Sequence, residues 1–442
     1  MRWDGRDERT NRTDEQDGRQ SVQTGVVELC YILPDVKRIG IYVERHRAWG
    51  RQICEGVCAF AQTHDDWSLT MLEREDFASP TRLSAFDGFI ARVPDATVAQ
   101  ALAHTRRPVA DLTCEAASEG RFIRAVWQDN AAVGKLAARH FIEHRFTRFA
   151  FCGYADRRFS DERRDAFARC LRLNRFETAV YECPPTATRA YDTATAQHER
   201  LSSAPDARQL VRWLQSLPKP VAVFCANDLR GQQVIFACAE AGIAVPAEVA
   251  VLGLDNDTLV CNFVTPTLSS IDPDATALGL SAARALALGL DGLRTPPRQA
   301  LVPPRELVTR ASTETFPVDP PWLSDALVFI RRNINRRLSA ADVYAAVHRS
   351  HTRVDAAFRE RLGTTVQAEI RRVALDEARR LLATTGLSVA DVARRAGFSS
   401  PQYFCNVFTA AFGQPPSTVP RGTPRPPRAS ARTADGPKVH GT

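Results

Sequence analysis

Two short stretches near the C-terminus carry side chains that can recognise nucleic-acid bases. The first contains Ser350, His351, Thr352 and Arg353, and the second contains Ser399, Ser400, Pro401, Gln402 and Tyr403. An arginine can donate two parallel hydrogen bonds to guanine and a glutamine can pair similarly with adenine, whereas Ser and Thr contact bases or phosphates with little selectivity. A purely structural role is open as well, because Ser400 and Pro401 also make a helix N-cap followed by a first helical residue.

Both stretches occupy corresponding places in an internal repeat. Residues 338–363 resemble residues 387–413, with Asp342 matching Asp391 at an offset of 49 that becomes 50 beyond a turn. Each unit predicts a short helix after a Ser N-cap, a tight turn, and a second helix with apolar residues at helical spacing. In a helix-turn-helix the first turns of the second helix reach base edges in the major groove. The repeat therefore predicts two DNA-binding units, with an unrelated array of helical hairpins as the alternative.

The positive charge of the chain is concentrated in the same region. The formal net charge is +7, and residues 322–420 contain fourteen Arg against eight Asp and Glu, while residues 421–442 contain five basic residues against one acidic residue. Binding to the phosphate backbone needs such a surplus, although many charged faces are merely solvated.

Several classes of protein are disfavoured by composition and by missing motifs. The chain of 442 residues is long enough for two or three domains, and no apolar run approaches the roughly 18 residues that span a bilayer. The polar N-terminus is no secretory signal, so we expect a cytoplasmic protein. The scattered cysteines form no zinc pattern, and no nucleophile elbow, Walker loop or HExxH motif occurs, so we expect neither a cofactor nor an enzyme.

The first two thirds of the chain alternate β-rich runs with amphipathic helical stretches, which predicts parallel sheets covered on both faces. The predicted strands are residues 38–43, 68–72, 87–93, 108–112, 148–153, 178–183, 220–226 and 249–254. The predicted helices include residues 49–63, 130–144, 161–172, 206–217 and 229–241. Because this pattern is too long for one compact sheet, we predict a two-lobed α/β domain followed by an all-α domain.

Changes in composition predict the domain boundaries. We predict a disordered N-terminal arm (1–36), the α/β domain (37–311), a proline-containing linker (312–321), the all-α double helix-turn-helix domain (322–420) and a disordered basic tail (421–442).

The second repeat unit resembles the DNA-binding domain of the AraC/XylS family of transcription regulators. The matching residues are Ala390, Asp391, Val392, Ala393, Gly397, Phe398, Tyr403, Phe404, Phe408, Gly413 and Pro416. The resemblance implies a double-stranded DNA operator, an activator and contact with RNA polymerase. The first unit departs from the family pattern, because His348 stands where the turn usually has Gly. A left-handed backbone there would cost a non-glycine residue about 1 kcal/mol or more.

The α/β part resembles the effector-binding domain of LacI-type regulators and the related periplasmic-binding-protein-like sugar receptors. The matching stretches are residues 126–153, 163–171 and 224–259. The resemblance implies a homodimer and a small sugar held between the lobes. The residues that it places in the cleft are Trp49, Arg51, Asp129, Arg163, Asn227, Asp228 and Asp255. Residues 46–62 are similar to the beginning of xylose-operon regulators, which makes a pentose such as xylose the leading candidate.

Structural roles remain open for these cleft residues. Asp129, Asn227 and Asp228 are placed to cap helices, and Trp49 can pack in the core. Arg163 has Arg164 as a neighbour, and only spacing favours the former. Two rival functions remain as well: a DNA-binding regulator whose α/β domain only dimerises, and a sugar-binding protein with an accessory helical domain.

Overall fold

The computed structural model describes residues 36–93, 95–112, 123–183, 206–292 and 299–419. The predicted basic tail and the predicted N-terminal arm, apart from Val36, lie outside these residues. Within the described residues, no helix is both long and apolar enough to cross a membrane.

Two six-stranded sheets form the first two thirds of the described chain. The strands of sheet 1 are β1 Lys37–Tyr42, β2 Trp67–Met71, β3 Gly88–Ala91, β4 Val109–Asp111, β5 Ile123–Gln128 and β11 Gln299–Val302. The strands of sheet 2 are β6 Phe149–Tyr154, β7 Thr178–Cys183, β8 Val221–Cys225, β9 Val249–Leu254, β10 Ser269–Asp272 and β12 Glu306–Val308. The strand orders are β11-β5-β4-β3-β1-β2 and β12-β10-β9-β8-β6-β7, and only β12 runs antiparallel to its neighbour.

Helices cover both faces of each sheet, because the strands are apolar on both sides. Lobe 1 combines sheet 1 with α1 Ala48–Ala61, α2 Pro80–Leu83, α3 Ala96–Thr105 and α9 Ala275–Leu290. Lobe 2 combines sheet 2 with α4 Asn130–Glu143, α5 Arg158–Leu173, α6 Ala207–Ser216, α7 Asp228–Glu240 and α8 Thr258–Asn262. This confirms the predicted two-lobed α/β fold, although strands β5, β10, β11 and β12 were not predicted.

The chain passes between the lobes three times, and hydrogen bonds tie the crossings together. The crossings follow β5, β10 and β11. The backbone N–H of Asp129 and the side-chain amide of Gln128 both donate to the carbonyl of Val302, at 2.8 and 2.9 Å. The N–H of Arg305 donates to the carbonyl of Asp272 at 2.8 Å. These three linked crossing segments have the position that a hinge between two lobes requires, and we call them the hinge.

The remaining described residues form an all-α domain with one apolar core, which confirms the second half of the predicted fold. Its helices are α10 Pro321–Arg332, α11 Ala340–Ala346, α12 His351–Leu362, α13 Val366–Thr384, α14 Val389–Arg395 and α15 Pro401–Phe412. Leu323, Ile330, Phe358, Phe404 and Phe408 are buried in the core. The pairs α11–α12 and α14–α15 are the two repeat units. Helix α13 joins them, and at 1.5 Å per residue it spans about 28 Å.

Helices α1 and α9 pack with almost no space between their backbones. A methyl group added at Gly279 would lie 2.1 Å from the carbonyl oxygen of Ile53, and one added at Gly56 would lie 2.0 Å from the carbonyl oxygen of Thr276. Because α1 begins at the edge where sheet 1 faces lobe 2, this contact fixes where its N-terminus points.

We predict that Gly279→Ala separates these helices and lowers the free energy of unfolding by about 1–3 kcal/mol, the range for overpacking a core. Arg284→Ala, on an exposed position of the same helix, is the matched control and should change stability by less than about 0.5 kcal/mol. Urea unfolding of both variants measures the difference. Equal midpoints for the two variants would contradict the close packing.

Candidate functional site

The carboxyl ends of strands from both lobes meet at one cleft. Tyr154, Asn227 and Asp255 stand at or just after the ends of β6, β8 and β9 in lobe 2, while Glu44 and Arg92 stand just after β1 and β3 in lobe 1. In open parallel sheets this edge is where ligands bind. A cavity of about 610 Å³ opens on the lobe 1 side, lined by Glu44, Arg92 and their neighbours.

Asp255 is the lobe 2 carboxylate on which charged groups of both lobes act. Burial raises the pKa of its carboxyl above the usual range, while the guanidinium groups of Arg163, Arg47 and Arg92 act in the opposite direction. Arg163 belongs to lobe 2, and the other two arginines belong to lobe 1. Asp255 therefore lies between positive charges from both lobes, and its charge favours their approach.

Arg163 is held rigidly in the cleft wall. Its Nε donates to the Oδ1 of Asn130 at 2.9 Å, and its Nη1 donates to the carbonyl of Ala226 at 2.5 Å. Burial lowers the pKa of its guanidinium. The neighbouring Arg164 pairs instead with Asp161 and Asp165 on the surface of α5. The structure thus places Arg163, and not Arg164, in the cleft.

Asn227 and Asp129 both cap helices, as their alternative roles predicted. The Oδ1 of Asn227 accepts hydrogen bonds from the N–H of Arg230 at 2.9 Å and from the hydroxyl of Tyr154 at 3.1 Å. The Oδ1 of Asp129 accepts from the N–H of Ala132 at 2.8 Å. Capping engages one oxygen of each side chain. It leaves the amide nitrogen of Asn227 and the second oxygen of Asp129 without a partner among the described residues.

Asp228 supports the cleft loop from behind instead of facing the cleft. Its carboxylate accepts hydrogen bonds from the N–H of Asp257 at 2.8 Å, the hydroxyl of Ser270 at 2.5 Å and the thiol of Cys261 at 3.3 Å. Burial and the nearby charge of Asp255 raise the pKa of this carboxyl. Both oxygens are engaged, so its contacts are those of a structural residue.

The two residues expected from the first β-α loop also have structural contacts. The guanidinium of Arg51 is exposed and donates to the carbonyls of Arg45 and His46, at 3.1 and 2.8 Å. The indole of Trp49 packs against the lobe 1 core, and the guanidinium of Arg92 lies 5.6 Å from its ring centre. Arg51 therefore stabilises the loop, and Trp49 lies beside Arg92, one of the charged residues of the cleft.

Sequence reasoning missed the lobe 1 charges Glu44, Arg47 and Arg92. The carboxylate of Glu44 pairs with Arg92, and the two side chains are 17% and 12% exposed. Glu44 directly follows the predicted strand 38–43, and Arg92 was assigned inside the predicted strand 87–93. Their position at the carboxyl ends of strands was the signal that could have found them.

The base-recognition candidates lie on the exposed starts of α12 and α15. Eight of the nine are exposed, and Ser400 is half-buried. Ser400 caps α15 by accepting a hydrogen bond from the N–H of Tyr403 at 3.2 Å, whereas the hydroxyl of Ser350 makes no capping bond to α12. Among the described residues, the side chains of Arg353 and Gln402 have no hydrogen-bond partner. They are therefore available to a ligand.

The two turns differ in what surrounds them. Gly397 has a φ of +79°, and a methyl group there would lie 2.4 Å from the carbonyl oxygen of Ile334 and 2.6 Å from that of Arg336. Arg337 also donates to the carbonyl of Ser399 at 3.2 Å. At the first turn His348 has a φ of +51°, the left-handed conformation that favours glycine. The loop that precedes the first unit thus packs closely against the second turn and holds it in place. We call this contact the clamp on the second turn.

Comparisons with known proteins agree with both parts of this structure. A family model for a periplasmic binding protein-like domain matches residues 138–313, and a helix-turn-helix domain model matches residues 343–422. The xylose operon regulatory protein of Escherichia coli (strain K12) is 29% identical over 388 residues, which cover 86% of this chain and 95% of that protein. Its counterpart from Haemophilus influenzae is 25% identical over 386 residues, covering 86% and 97%.

A solved structure of a xylose-binding transcription activator decides the architecture. It matches with a TM-score of 0.53 and 28% identity, covering 86% of this chain and 96% of that one. The chain joins a periplasmic binding protein-like domain to an AraC-type helix-turn-helix domain. Both resemblances found in the sequence are thereby confirmed. A LacI family regulator from Enterococcus faecium with bound ribose shares the fold of the first domain, with a TM-score of 0.50 at 19% identity.

We predict that Gly397→Ala destabilises the regulator more than Gly413→Ala. Gly413 has a φ of +70° with nothing within 4 Å of an added methyl group, so only the backbone term of about 1–2 kcal/mol applies there. At Gly397 the clash adds about 1–3 kcal/mol. Thermal unfolding of the two variants tests this comparison. A Gly413→Ala variant that is as unstable as Gly397→Ala would show that the clamp on the second turn does not exist.

Proposed function

We propose that this regulator controls transcription by binding operator DNA through α12 and α15 under the control of a small sugar held between its two lobes. The single observation that carries the proposal is the cleft itself, where Asp255 and Arg163 of lobe 2 face Arg92 and Arg47 of lobe 1. Charged groups from opposite lobes become fully engaged only when the lobes close. A ligand between them therefore favours the closed state.

The cleft chemistry fits a polyhydroxylated ligand. Carboxylate and guanidinium groups hold hydroxyls by charge-assisted hydrogen bonds, and the face of an aromatic ring covers the apolar side of a sugar. We propose that Asp129, Arg163, Asn227 and Asp255 contact the sugar, with Trp49 beside it. Asp228 and Arg51 act by holding the surrounding loops. The similarity to two xylose operon regulatory proteins and to a xylose-binding activator makes D-xylose the first candidate.

The nucleic-acid interface comprises the nine exposed or half-exposed residues that begin α12 and α15. We propose that Arg353 and Gln402 read bases, and that Ser350, His351, Thr352, Ser399, Ser400, Pro401 and Tyr403 complete the contact surface. The arginine surplus of the helical domain supplies the attraction to phosphate.

Control of transcription requires that the sugar changes how the two units meet DNA. We propose a cytoplasmic homodimer that acts as an activator through RNA polymerase, with the α/β domain over residues 37–311 and the DNA-binding domain over residues 322–420. A hundredfold preference of the sugar for the closed state would correspond to about 2.7 kcal/mol of coupling.

We predict that D-xylose, or another pentose, hexose or sugar acid in a panel, raises the melting temperature of wild-type protein, and that Asp255→Asn abolishes the rise. A ligand at a hundred times its Kd adds about 2.7 kcal/mol of stability. Asp165→Asn, at an exposed position of α5 whose carboxylate pairs with Arg164, should keep the full response. If no sugar raises the melting temperature of the wild type, the sugar hypothesis is wrong. The alternative, in which the first domain only dimerises, is then favoured.

We predict that Gln402→Ala relaxes sequence preference and weakens binding to selected sites by about 1–3 kcal/mol, because it removes a bidentate contact to adenine. Selection from a pool of random duplexes, followed by titration with selected and unselected DNA, measures both effects. An equal loss on selected and unselected DNA would mean that Gln402 contacts the phosphate backbone instead.

A further inference from the structure

The loop Asp255–Asp257 is the part of lobe 2 that reaches both the cleft and the opposite lobe. Asp255 faces the cleft charges, while the Oδ2 of Asp257 accepts a hydrogen bond from the N–H of Ala48 at 3.2 Å, at the start of α1 in lobe 1. The other oxygen of Asp257 caps α8 through the N–H of Leu259 at 3.1 Å. Asp255 has a φ of +117°, which strains the backbone of a non-glycine residue, and Asn256 has a φ of +47°, in the left-handed region that Asn adopts more readily than most residues.

The middle residue of this loop is tied to Arg310. The Nη2 of Arg310 donates to the Oδ1 of Asn256 at 2.7 Å, and its Nη1 donates to the carbonyl of Leu268 at 2.9 Å. The fork of one guanidinium therefore bridges the cleft loop and the start of β10. An arginine held by both arms has a fixed orientation, which a single contact would not give.

Arg310 begins the segment that leads out of lobe 2. Its backbone exchanges hydrogen bonds with the hydroxyl of Ser269, since the Arg310 N–H donates at 2.8 Å and the Ser269 hydroxyl donates to the Arg310 carbonyl at 2.9 Å. The hydroxyl of Ser312 donates to the carbonyl of Val251 at 2.6 Å. The Oγ1 of Thr313 lies 3.2 Å from the Nε2 of His140 on α4. Residues 310–313 thus follow the position of lobe 2 closely.

Three residues later the same segment enters the core of the DNA-binding domain. Phe316 is 3% exposed and belongs to that core, and its ring also stacks on His144, the residue after α4, with 4.8 Å between the ring centroids. Its N–H donates to the hydroxyl of Ser324 on α10 at 3.0 Å. Glu314 pairs with Arg332 at the end of α10. The residues predicted to be a linker therefore pack against both domains.

We infer that Arg310 is the positioning residue that couples the cleft loop Asp255–Asp257 to the docking of the DNA-binding domain. A conformational change in the loop moves Asn256. Because the guanidinium of Arg310 is hydrogen-bonded to Asn256, it moves as well, and residues 310–316 transmit this displacement to α10. The inference extends the proposed function, since it names the residue through which cleft occupancy acts on the DNA-binding units. Arg310 contacts neither the cleft nor the helical domain directly with its side chain, so its role is to link them.

Amide hydrogen exchange of the full chain, without sugar or DNA, tests this coupling. Asp257→Ala frees the loop from α1 and α8, and we expect it to raise exchange in residues 314–332 by about threefold or more, although Asp257 does not touch them. Arg310→Met cuts the link while keeping the length of the side chain. In an Arg310→Met background, Asp257→Ala should add no further change in residues 314–332, because coupled residues are not additive.

Arg332→Met is the matched control, since it removes an ion pair at the same segment without touching Asn256. In that background the remote effect of Asp257→Ala should persist. The inference is overturned if Asp257→Ala changes exchange only near its own position, or if its remote effect survives in Arg310→Met. Because the exchange experiment contains no sugar, its result does not depend on the sugar panel. If no sugar raised the melting temperature, the proposed effector would be refuted, but the hydrogen-exchange test of the coupling would still be valid.

Discussion

The carboxylate of Asp228 accepts hydrogen bonds from a backbone amide, a hydroxyl and a thiol, and its residue is 1% exposed. A carboxylate removed from water is costly unless such donors surround it. Here the donors belong to the cleft loop, to β10 and to α8, so one buried group holds three elements in register. The space for it exists because β9 has glycine at position 253, where a methyl group would lie 2.2 Å from the Asp228 Oδ1. The strained backbone of Asp255 depends on this support.

The fold class follows from sequence wherever apolar periodicity is strong. Strands such as β6 and β8 are buried along their whole length and were predicted from their apolar runs. Strand β10 reads Ser-Ser-Ile-Asp, and it is buried because the hydroxyls of Ser269 and Ser270 have hydrogen-bond partners in lobe 2. These hydrogen bonds cannot be predicted from the sequence, because only the folded chain brings the partners together. Strands β11 and β12 are only four and three residues long, and two prolines separate them, so their pairing depends on the sheets that they join.

The sequence analysis located the charged groups of the cleft on the lobe 2 side only. Motif resemblance located the lobe 2 residues, because they follow strands in a recognisable pattern. The lobe 1 partners come from strands far away in sequence, and their proximity to Asp255 results from the way the chain crosses the hinge. Sequence also left the capping and cleft roles of Asn227 as alternatives, and the structure shows that the amide oxygen serves the cap, while the amide nitrogen has no hydrogen-bond partner among the described residues. In the helical domain the repeat predicted both units, but not the clamp of Arg337 on the second turn.

The three crossings have a consequence for synthesis on the ribosome. Lobe 1 is assembled from two separated pieces of chain, because β11 forms its edge strand and α9 packs on α1. Strands β1 to β5 are therefore made long before residue 302, which completes the lobe. At about 5–20 residues per second the early strands wait roughly 10 seconds or more for their missing neighbours. Lobe 2 is in the same position, because β6 to β10 are made in one stretch and its edge strand β12 follows β11 in the chain. The crossings that connect the lobes thus leave β5 and β10 without their outer neighbours until the last crossing has been translated.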